Sequence, residues 1–258
     1  MAIASTPDGC SIHWTEEGSG PAILLVHGFA STHARNWIET GWTKAIARAG
    51  WRAIGYDLRG HGASDKRYDP VEYAPPLMVA DADAVLDAAG VSRAVLMGYS
   101  MGARIVLEIA LARAGRDRAI VLGGIGDNFR DFGNQQDERE IVARALEAED
   151  PSVFPPAARF YRTFADQTGQ DGRALAACWR RPIRTVTPSE LATVAVPTLV
   201  VAGDRDTVAG DPGPLAAAIR GAKLVRLAGK DHMNAVGARE HRAVVLDFLS
   251  RLGAALAD

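Results

Sequence analysis

The stretch AVLMGYSMGARIVLEIAL, residues 94–111, places a serine between two glycines where a strand-like apolar run changes to an apolar helical pattern. The pattern Gly-x-Ser-x-Gly in this setting predicts a sharp turn that holds the Ser100 hydroxyl above the sheet, at the first turn of a helix. Gly98, Gly102 and Ala103 are small enough for a strained turn in which strand and helix approach closely. Because the chain contains 26 glycines, the motif alone is weak, and an ordinary helix N-cap is the alternative for Ser100.

Apolar runs of strand length recur along the chain and alternate with helical stretches. They are Ala22–Val26, Ala53–Tyr56, Ala94–Met97, Ala119–Leu122, Thr198–Ala202 and Lys223–Leu227. Before them, CSIHWTEEGSG at 10–20 predicts a further strand and a turn. This alternation is typical of an α/β domain in which helices cover both faces of a mostly parallel sheet.

Two helical patterns adjoin the central serine motif. The first has an apolar face with three aspartates off it: the face is Met78, Ala82, Val85, Leu86 and Ala89, and the aspartates are Asp81, Asp83 and Asp87. We expect that face to pack on the sheet and the aspartates to point away from it. The second pattern, Ile105–Leu111, is apolar on every side except at Glu108, which predicts a buried central helix.

The alternation of strands and helices fails between Asp127 and Ser189. There, the polar run DNFRDFGNQQDERE at 127–140 is followed by helical patterns separated by prolines. These patterns span Arg139–Glu149, Ala157–Asp166 and Arg173–Arg180. We interpret residues 127–189 as a helical insertion in a core domain formed by residues 1–126 and 190–258.

Composition restricts the partners that we expect. The 258-residue chain is 48% hydrophobic and carries a formal net charge of −2, from 29 basic and 31 acidic side chains. No field of one sign favours nucleic acid or an anionic membrane, so we expect a small uncharged substrate. Nothing in the composition indicates an oligomeric state.

Cysteine usage and the N-terminus favour a cytoplasmic location. Cys10 and Cys178 lie far apart and lack metal-site spacing, which argues against a disulfide framework or a zinc site. The first residues, MAIASTPDGCSIHW, lack the features of a signal peptide. No apolar run approaches the roughly 20 residues that a membrane-spanning helix needs.

A nucleophilic Ser100 needs a histidine as its base, and His232 is the best candidate. The segment AGKDHMNA places it on a loop between the last strand-like run and the C-terminal helical pattern. That loop lies at the carboxyl end of a strand, where sites form in open α/β sheets. We interpret His241 and His13 as packing or surface residues, and an exposed loop histidine is the alternative for His232.

The imidazole in turn needs a carboxylate that orients it. The run LVVAGDRDTVAG, at 199–210, follows a predicted strand, and we select Asp206 within it as the acid. Asp204 is assigned to the turn itself, through bonds between side chain and backbone. Asp127, just after the strand Ala119–Leu122, is the competing candidate for the acid.

An acyl-transfer site also needs backbone N–H groups that point at one oxygen. The N–H of Met101, directly after the serine, is one candidate. The other is the N–H of Phe29, in the turn HGFAST that follows the strand Ala22–Val26. An ordinary turn at the end of a strand is the alternative for His27-Gly28-Phe29.

Taken together, these residues resemble the α/β-hydrolase fold superfamily, whose chain order of nucleophile, acid and histidine matches Ser100, Asp206 and His232. His27-Gly28-Phe29 is similar to the family's oxyanion loop, and DLRGHGASD at 57–65 to its loop after the fourth strand. The resemblance implies an eight-stranded sheet and a helical cap inserted after the sixth strand, which corresponds to 127–189. A serine at the motif's centre also distinguishes this chain from the family's dehalogenases and epoxide hydrolases, which use aspartate there.

The resemblance implies a serine hydrolase that cleaves a carboxylic ester through an acyl-enzyme intermediate, without metal or organic cofactor. Gly-x-Ser-Met-Gly is also similar to cofactor-free haloperoxidases or perhydrolases and to enol-lactone hydrolases, but Ala30 and Ala103 depart from the perhydrolase pattern. A C–C bond hydrolase would keep the same three side chains. A binding protein or receptor with this fold and little turnover is the alternative outside enzymes.

The helical insertion contains the candidates for substrate contacts. Its aromatic residues are Phe154, Phe160, Tyr161, Phe164 and Trp179, of which Phe160 and Trp179 are our predicted pocket residues. Packing within the insertion is the alternative for all five. Arg180, Arg181 and Arg184 have the spacing of a solvated basic edge, with attraction of a substrate carboxylate as the other interpretation.

Overall fold

A single mixed sheet runs through the computed structural model, which describes residues 2–112, 115–127 and 136–256. The strands of the described chain are β1 Ala2–Ser5, β2 Ser11–Glu17, β3 Ala22–Val26, β4 Arg52–Tyr56, β5 Ala94–Tyr99, β6 Asp117–Gly123, β7 Thr198–Gly203 and β8 Lys223–Leu227. Their order in the sheet is β1-β2-β4-β3-β5-β6-β7-β8. β2 pairs antiparallel with β1 and β4, and every other pairing is parallel. The expected mostly parallel sheet of eight strands is confirmed, although β1 was not predicted.

Helices connect these strands. They are α1 Trp42–Arg48, α2 Pro75–Ala88, α3 Met101–Ala112, α4 Gln136–Glu147, α5 Pro156–Gln167, α6 Gly172–Arg180, α7 Pro188–Leu191, α8 Pro212–Ala218, α9 His232–Ala235 and α10 Arg239–Leu256. Short helical turns occupy Ala34–Ile38, Pro70–Tyr73 and Pro151–Val153. None of the helices in the described part of the chain combines the length and the apolar character needed to cross a bilayer.

The central strands are continuous apolar runs because both faces of the sheet are covered. All positions of β3 and β5 are buried. Leu24 belongs to a core on one face together with residues of α2 and α3, whereas its neighbour Ile23 belongs to the opposite core with residues of α1 and α10. The expected cover of helices on both faces is therefore confirmed, and α3 is buried along most of its length as predicted.

One aspartate of α2 corrects the sequence interpretation. Asp81 does not point away from the core: its side chain is 0% exposed and pairs with Arg59, which is also 0% exposed. The guanidinium donates from Nε to Oδ2 at 2.7 Å and from Nη2 to Oδ1 at 2.6 Å. Arg59 also donates to Asp8 at 3.0 Å. A buried charge requires such a partner, and the helical pattern could not show that a partner would come from a loop 22 residues earlier.

Between β6 and β7 the described chain forms α4, α5, α6 and α7. The first three correspond to the predicted helical patterns with bounds shifted by a few residues, and their buried side chains join the core on the α3 face. Most of the polar run that opens the proposed insertion, residues 128–135, lies outside the described residues.

Asp81→Asn is expected to lower the free energy of unfolding by about 3–5 kcal/mol, because it leaves Arg59 buried without its principal counter-charge. Asp87→Asn on the same helix is the matched control. The Asp87 side chain is 71% exposed in its pair with Arg116, so its replacement should cost less than about 1 kcal/mol. Urea unfolding monitored by circular dichroism measures both changes. Equal costs would show that the Arg59–Asp81 pair does not anchor this loop.

Candidate active site

The turn between β5 and α3 has the strained geometry that the sequence predicts. Ser100 has φ +55°, a left-handed conformation that side chains other than glycine rarely adopt. Its N–H donates to the carbonyl oxygen of Gly123 at 2.8 Å. A Cβ at Gly102 would lie 2.1 Å from the carbonyl oxygen of Val26, and one at Gly98 would lie 2.2 Å from that of Gly102. Both glycines are therefore required by contact with neighbouring backbone.

Three predicted residues lie together at this turn. His232, the first residue of α9, places Nε2 3.0 Å from Ser100 Oγ. Its Nδ1 lies 2.8 Å from Asp206 Oδ2 and 3.0 Å from Oδ1. Tyr99 donates its hydroxyl hydrogen to the carbonyl oxygen of His232 at 2.6 Å, which ties the loop of the histidine to the strand of the serine.

Asp206 is held in one orientation by its own backbone turn. Its carboxylate is 0% exposed. Oδ1 accepts hydrogen bonds from the N–H groups of Ala209 at 2.8 Å and Val208 at 3.1 Å. An ionised carboxylate in this position accepts Nδ1–H of His232, and that tautomer presents the lone pair of Nε2 to Ser100.

The other two candidate acids form different contacts. Asp204 Oδ1 accepts the N–H of Gly229 at 2.7 Å and so links the loops after β7 and β8. Asp127 Oδ1 accepts the N–H of Asp211 at 2.8 Å. The structure therefore places Asp206, and neither of its competitors, against His232.

The turn with Phe29 lies directly beside Ser100. A Cβ at Gly28 would be 3.5 Å from Ser100 Cβ. Phe29 and Met101 both line the cavity at Ser100. Their N–H groups donate to no other residue of the described chain.

Sequence reasoning missed the groups that support this turn. His61 Nε2 accepts the N–H of Ala30 at 3.2 Å, and His27 Nε2 accepts the N–H of Leu58 at 3.0 Å. Asn36 Oδ1 accepts the N–H of Gly28 at 3.1 Å. Burial lowers the pKa of both histidines, so the rings are neutral at pH 7. The sequence Gly60-His61-Gly62 was visible in the chain, but it could not show that His61 supports Ala30, because that contact joins two loops far apart in sequence.

A cavity of about 1110 Å³ opens onto Ser100 and His232. Its aromatic wall joins Phe29 to Trp179 and Trp179 to Tyr161, each pair with ring centroids 4.6 Å apart. Both predicted pocket residues line it: Trp179 is 6% exposed, whereas Phe160 is 45% exposed. Phe154 is absent from the wall and packs against the core instead. Among the described residues, no group of three or more His, Cys, Asp or Glu side chains is arranged to hold a metal ion.

The predicted basic edge divides into three environments. Arg180 pairs with Glu140 and Glu147, each at 2.8 Å. Arg184 pairs with Glu108 at 2.8 Å and also with Glu190. Arg181 is buried and lines the cavity, so the interpretation of a solvated edge is wrong for this residue. Arg180 and Arg181 are adjacent in the chain and therefore point to different sides. The sequence does not show which of the two points into the cavity.

Comparisons with known proteins agree with this architecture. A sequence model of a family described as alpha/beta hydrolase fold matches residues 21–139, which include Phe29 and Ser100 but not Asp206 or His232. The chain is 42% identical over 113 residues to an epoxide hydrolase from Caballeronia sordidicola. That match covers 44% of this chain and 33% of the relative, so the chain spans about a third of the relative's length.

Solved structures match nearly the whole chain. A hydrolase from Pseudomonas aeruginosa PA01 has a TM-score of 0.78 at 28% identity, with 96% of this chain and 97% of that chain covered. An enol-lactonase from Burkholderia xenovorans LB400 has a TM-score of 0.75 at 21% identity, with 97% and 99% covered. At 21% identity, the similarity to the enol-lactonase shows a shared fold only.

Because Ser100 has a left-handed backbone, Ser100→Gly should be about 1 kcal/mol more stable to unfolding than Ser100→Ala. Both variants lack the hydroxyl, so the comparison isolates the backbone term. Ala103→Gly, within α3, is the control of opposite sign and should destabilise by about 0.5–1 kcal/mol. Thermal and urea unfolding of the three variants measure these differences. A lower stability of Ser100→Gly than of Ser100→Ala would mean that the turn stores no such strain.

Proposed function

We propose that this chain, a member of the α/β-hydrolase fold superfamily, is a serine hydrolase that cleaves a small carboxylic ester through an acyl-enzyme intermediate. The observation that carries the proposal is the continuous line of hydrogen bonds from Ser100 through His232 to Asp206. In this proposal Ser100 is the nucleophile, His232 the general base and acid, and Asp206 the group that orients the imidazole.

Acylation begins when Ser100 Oγ attacks the carbonyl carbon of the ester. His232 Nε2, 3.0 Å away, is within reach of the hydroxyl proton and takes it as the new C–O bond forms. The buried carboxylate of Asp206 stabilises the imidazolium that results. Nε2 then gives the proton to the alcohol oxygen, the original C–O bond breaks, and the acyl group remains on Ser100.

The carbonyl oxygen gains negative charge during this attack. We assign the N–H groups of Phe29 and Met101 to it, because both residues line the cavity at Ser100 and both donors are available. The left-handed backbone at Ser100 and the support of Ala30 by His61 keep these groups fixed before substrate arrives. Donors that need no reorganisation are the effective form of this stabilisation.

Deacylation repeats the same proton transfers with water. His232 Nε2 removes a proton from a water molecule that attacks the acyl carbon, and the same nitrogen later protonates Ser100 Oγ as the acid is released. All of these steps use side chains and backbone groups of this chain.

The chemistry of a serine nucleophile argues against epoxide hydrolysis, the activity named for the relative from Caballeronia sordidicola. Attack of Ser100 Oγ on an epoxide carbon would form an alkyl ether. Water does not cleave an ether under these conditions, so the enzyme would be blocked after one turnover. An ester substrate instead forms an acyl ester, which the same histidine can hydrolyse.

We also propose that residues 127–189 form a cap that determines selectivity. Support comes from the cavity wall, in which Phe160 and Trp179 of this segment line the same space as Ser100 and His232. Trp179 is packed between Phe29 and Tyr161, whereas the partly exposed Phe160 has room to meet the end of a longer acyl or alcohol chain.

A fluorophosphonate probe should label Ser100, and Ser100→Ala and His232→Ala should each lower kcat for p-nitrophenyl esters by at least about a thousandfold. The double variant should be little worse than either single one, because the two groups act in the same step. Mass spectrometry locates the label, and a panel of acetate to decanoate esters with one enol-lactone and one epoxide measures turnover.

Two results would contradict this proposal. Retention of more than about a tenth of kcat in Ser100→Ala would remove the serine mechanism. Labelling at Ser100 without turnover of any member of the panel would favour a binding protein of this fold, or cleavage of a different bond.

Among the three candidate acids, Asp206→Asn should lower kcat far more than Asp204→Asn or Asp127→Asn. The reason is that only Asp206 contacts His232, and an amide there removes the acceptor that sets the tautomer. We expect a loss of about a thousandfold or more for Asp206→Asn and less than about tenfold for the other two. Melting temperatures measured beside kcat separate this effect from unfolding. A larger loss in Asp127→Asn would transfer the role to the loop after β6.

A further inference from the structure

A buried arginine in the cavity wall has no counter-charge within the described part of the chain. Arg181, directly after α6, is 7% exposed and lines the cavity that contains Ser100. Its Nη1 donates to the carbonyl oxygen of Cys178 at 2.8 Å. Among the described residues no carboxylate lies within ion-pair distance of this guanidinium, and its Nε and Nη2 groups donate to none of them.

Several other arginines of limited exposure are paired with carboxylates. Arg59 has Asp81, Arg104 has Glu108, and Arg180 has two glutamates. A guanidinium remains charged in proteins, and a buried charge without a partner is costly. The unmatched charge of Arg181 therefore differs from these pairs, and it is located where a ligand can reach it.

Carboxylates of the same cavity do not neutralise it. Glu39 pairs with Arg35, and Glu108 pairs with Arg104 and Arg184. Glu138 lies on the exposed side of α4.

Arg139 adds positive charge near this guanidinium. Its Nη2 donates to the backbone oxygen of Arg181 at 2.7 Å. Burial and the charge of Arg181 lower the pKa of Arg139 to about 10, so it remains protonated at pH 7.

The guanidinium is close to the proposed nucleophile. Cys178 Sγ lies 3.9 Å from Arg181 Nη1 and 3.9 Å from Met101 Sδ. Met101 directly follows Ser100, so one buried side chain separates the arginine from the residue beside the nucleophile.

We propose that Arg181 binds a carboxylate of the substrate, so that the ester cleaved at Ser100 carries a second, ionised carboxyl group. Two free N–H directions of a guanidinium match the two oxygens of a carboxylate. This inference rests on the proposed function and names its substrate class. It replaces the expectation of an uncharged substrate, because a net charge of −2 does not describe the charge inside a cavity.

Matched pairs of esters test the inference. One pair is mono-p-nitrophenyl adipate and its neutral methyl ester, with the charge on the acyl side. The other is para-acetoxybenzoate and its methyl ester, with the charge on the alcohol side. For at least one pair, wild-type kcat/KM should be about tenfold or more higher for the anionic member, mainly through KM.

Arg181→Gln should remove that preference by about tenfold to a hundredfold and leave the neutral esters within a few-fold of wild type. Arg181→Lys, which keeps the charge, should retain part of it. Arg180→Gln is the control, since the adjacent arginine is outside the cavity wall and should not alter the preference. Removal of an unpaired buried charge should also leave the melting temperature of Arg181→Gln unchanged or raised.

Three outcomes would overturn the inference: no preference for either anionic ester in wild type, an equal loss on neutral and anionic esters in Arg181→Gln, or the same change in Arg180→Gln. If no ester is turned over, calorimetric binding of adipate to Ser100→Ala, with and without Arg181→Gln, decides. If Ser100→Ala binds adipate and the double variant with Arg181→Gln does not, the anion site is supported even when the proposed function fails. Equal binding by both proteins overturns it.

Discussion

The site depends on the close approach of three pieces of backbone around Ser100. The left-handed residue at the end of β5 turns the chain into α3, and it does so within about van der Waals distance of the end of β3, because Gly102 has no Cβ to meet the carbonyl oxygen of Val26. This contact places Gly28 and Phe29 beside the serine. The proposed nucleophile and the proposed backbone donors are therefore positioned by the same packing, and the parallel sheet brings the loops of Asp206 and His232 to the same edge.

Buried polar side chains below this edge of the sheet hold the neighbouring loops in place. The loop after β4 sends His61 to the N–H of Ala30 and Arg59 to Asp81 of α2, and His27 accepts the N–H of Leu58 within the same loop. Each of these buried groups has a partner, which is the condition under which buried polarity is tolerated. The loop connects the strand that bears Phe29 to the helix layer behind it, so the stability of the fold and the orientation of the proposed oxyanion donors are linked.

The cavity wall shows a different use of charge. Arg180 and Arg184 are neutralised by glutamates, whereas Arg181 lines the cavity without a carboxylate partner among the described residues. Stability alone does not favour that arrangement. A ligand that supplies the missing charge would account for it, in a cavity whose wall also contains the rings of Phe29, Tyr161 and Trp179.

Local and periodic signals in the sequence determined much of this description. The strands β3 to β7 are largely apolar runs because they are covered on both faces. The serine turn is recognisable because its glycines are required by close backbone contacts. The order of Ser100, Asp206 and His232 along the chain then led to the hypothesis that the three side chains act together. Tertiary structure alone decided which of three aspartates contacts His232, that Asp81 is buried against Arg59, and that Arg181 faces the cavity while Arg180 does not. The physical reason is that hydrophobic periodicity reports average exposure along one element, whereas the partner of a charge comes from another element whose distance in space has no counterpart in the sequence.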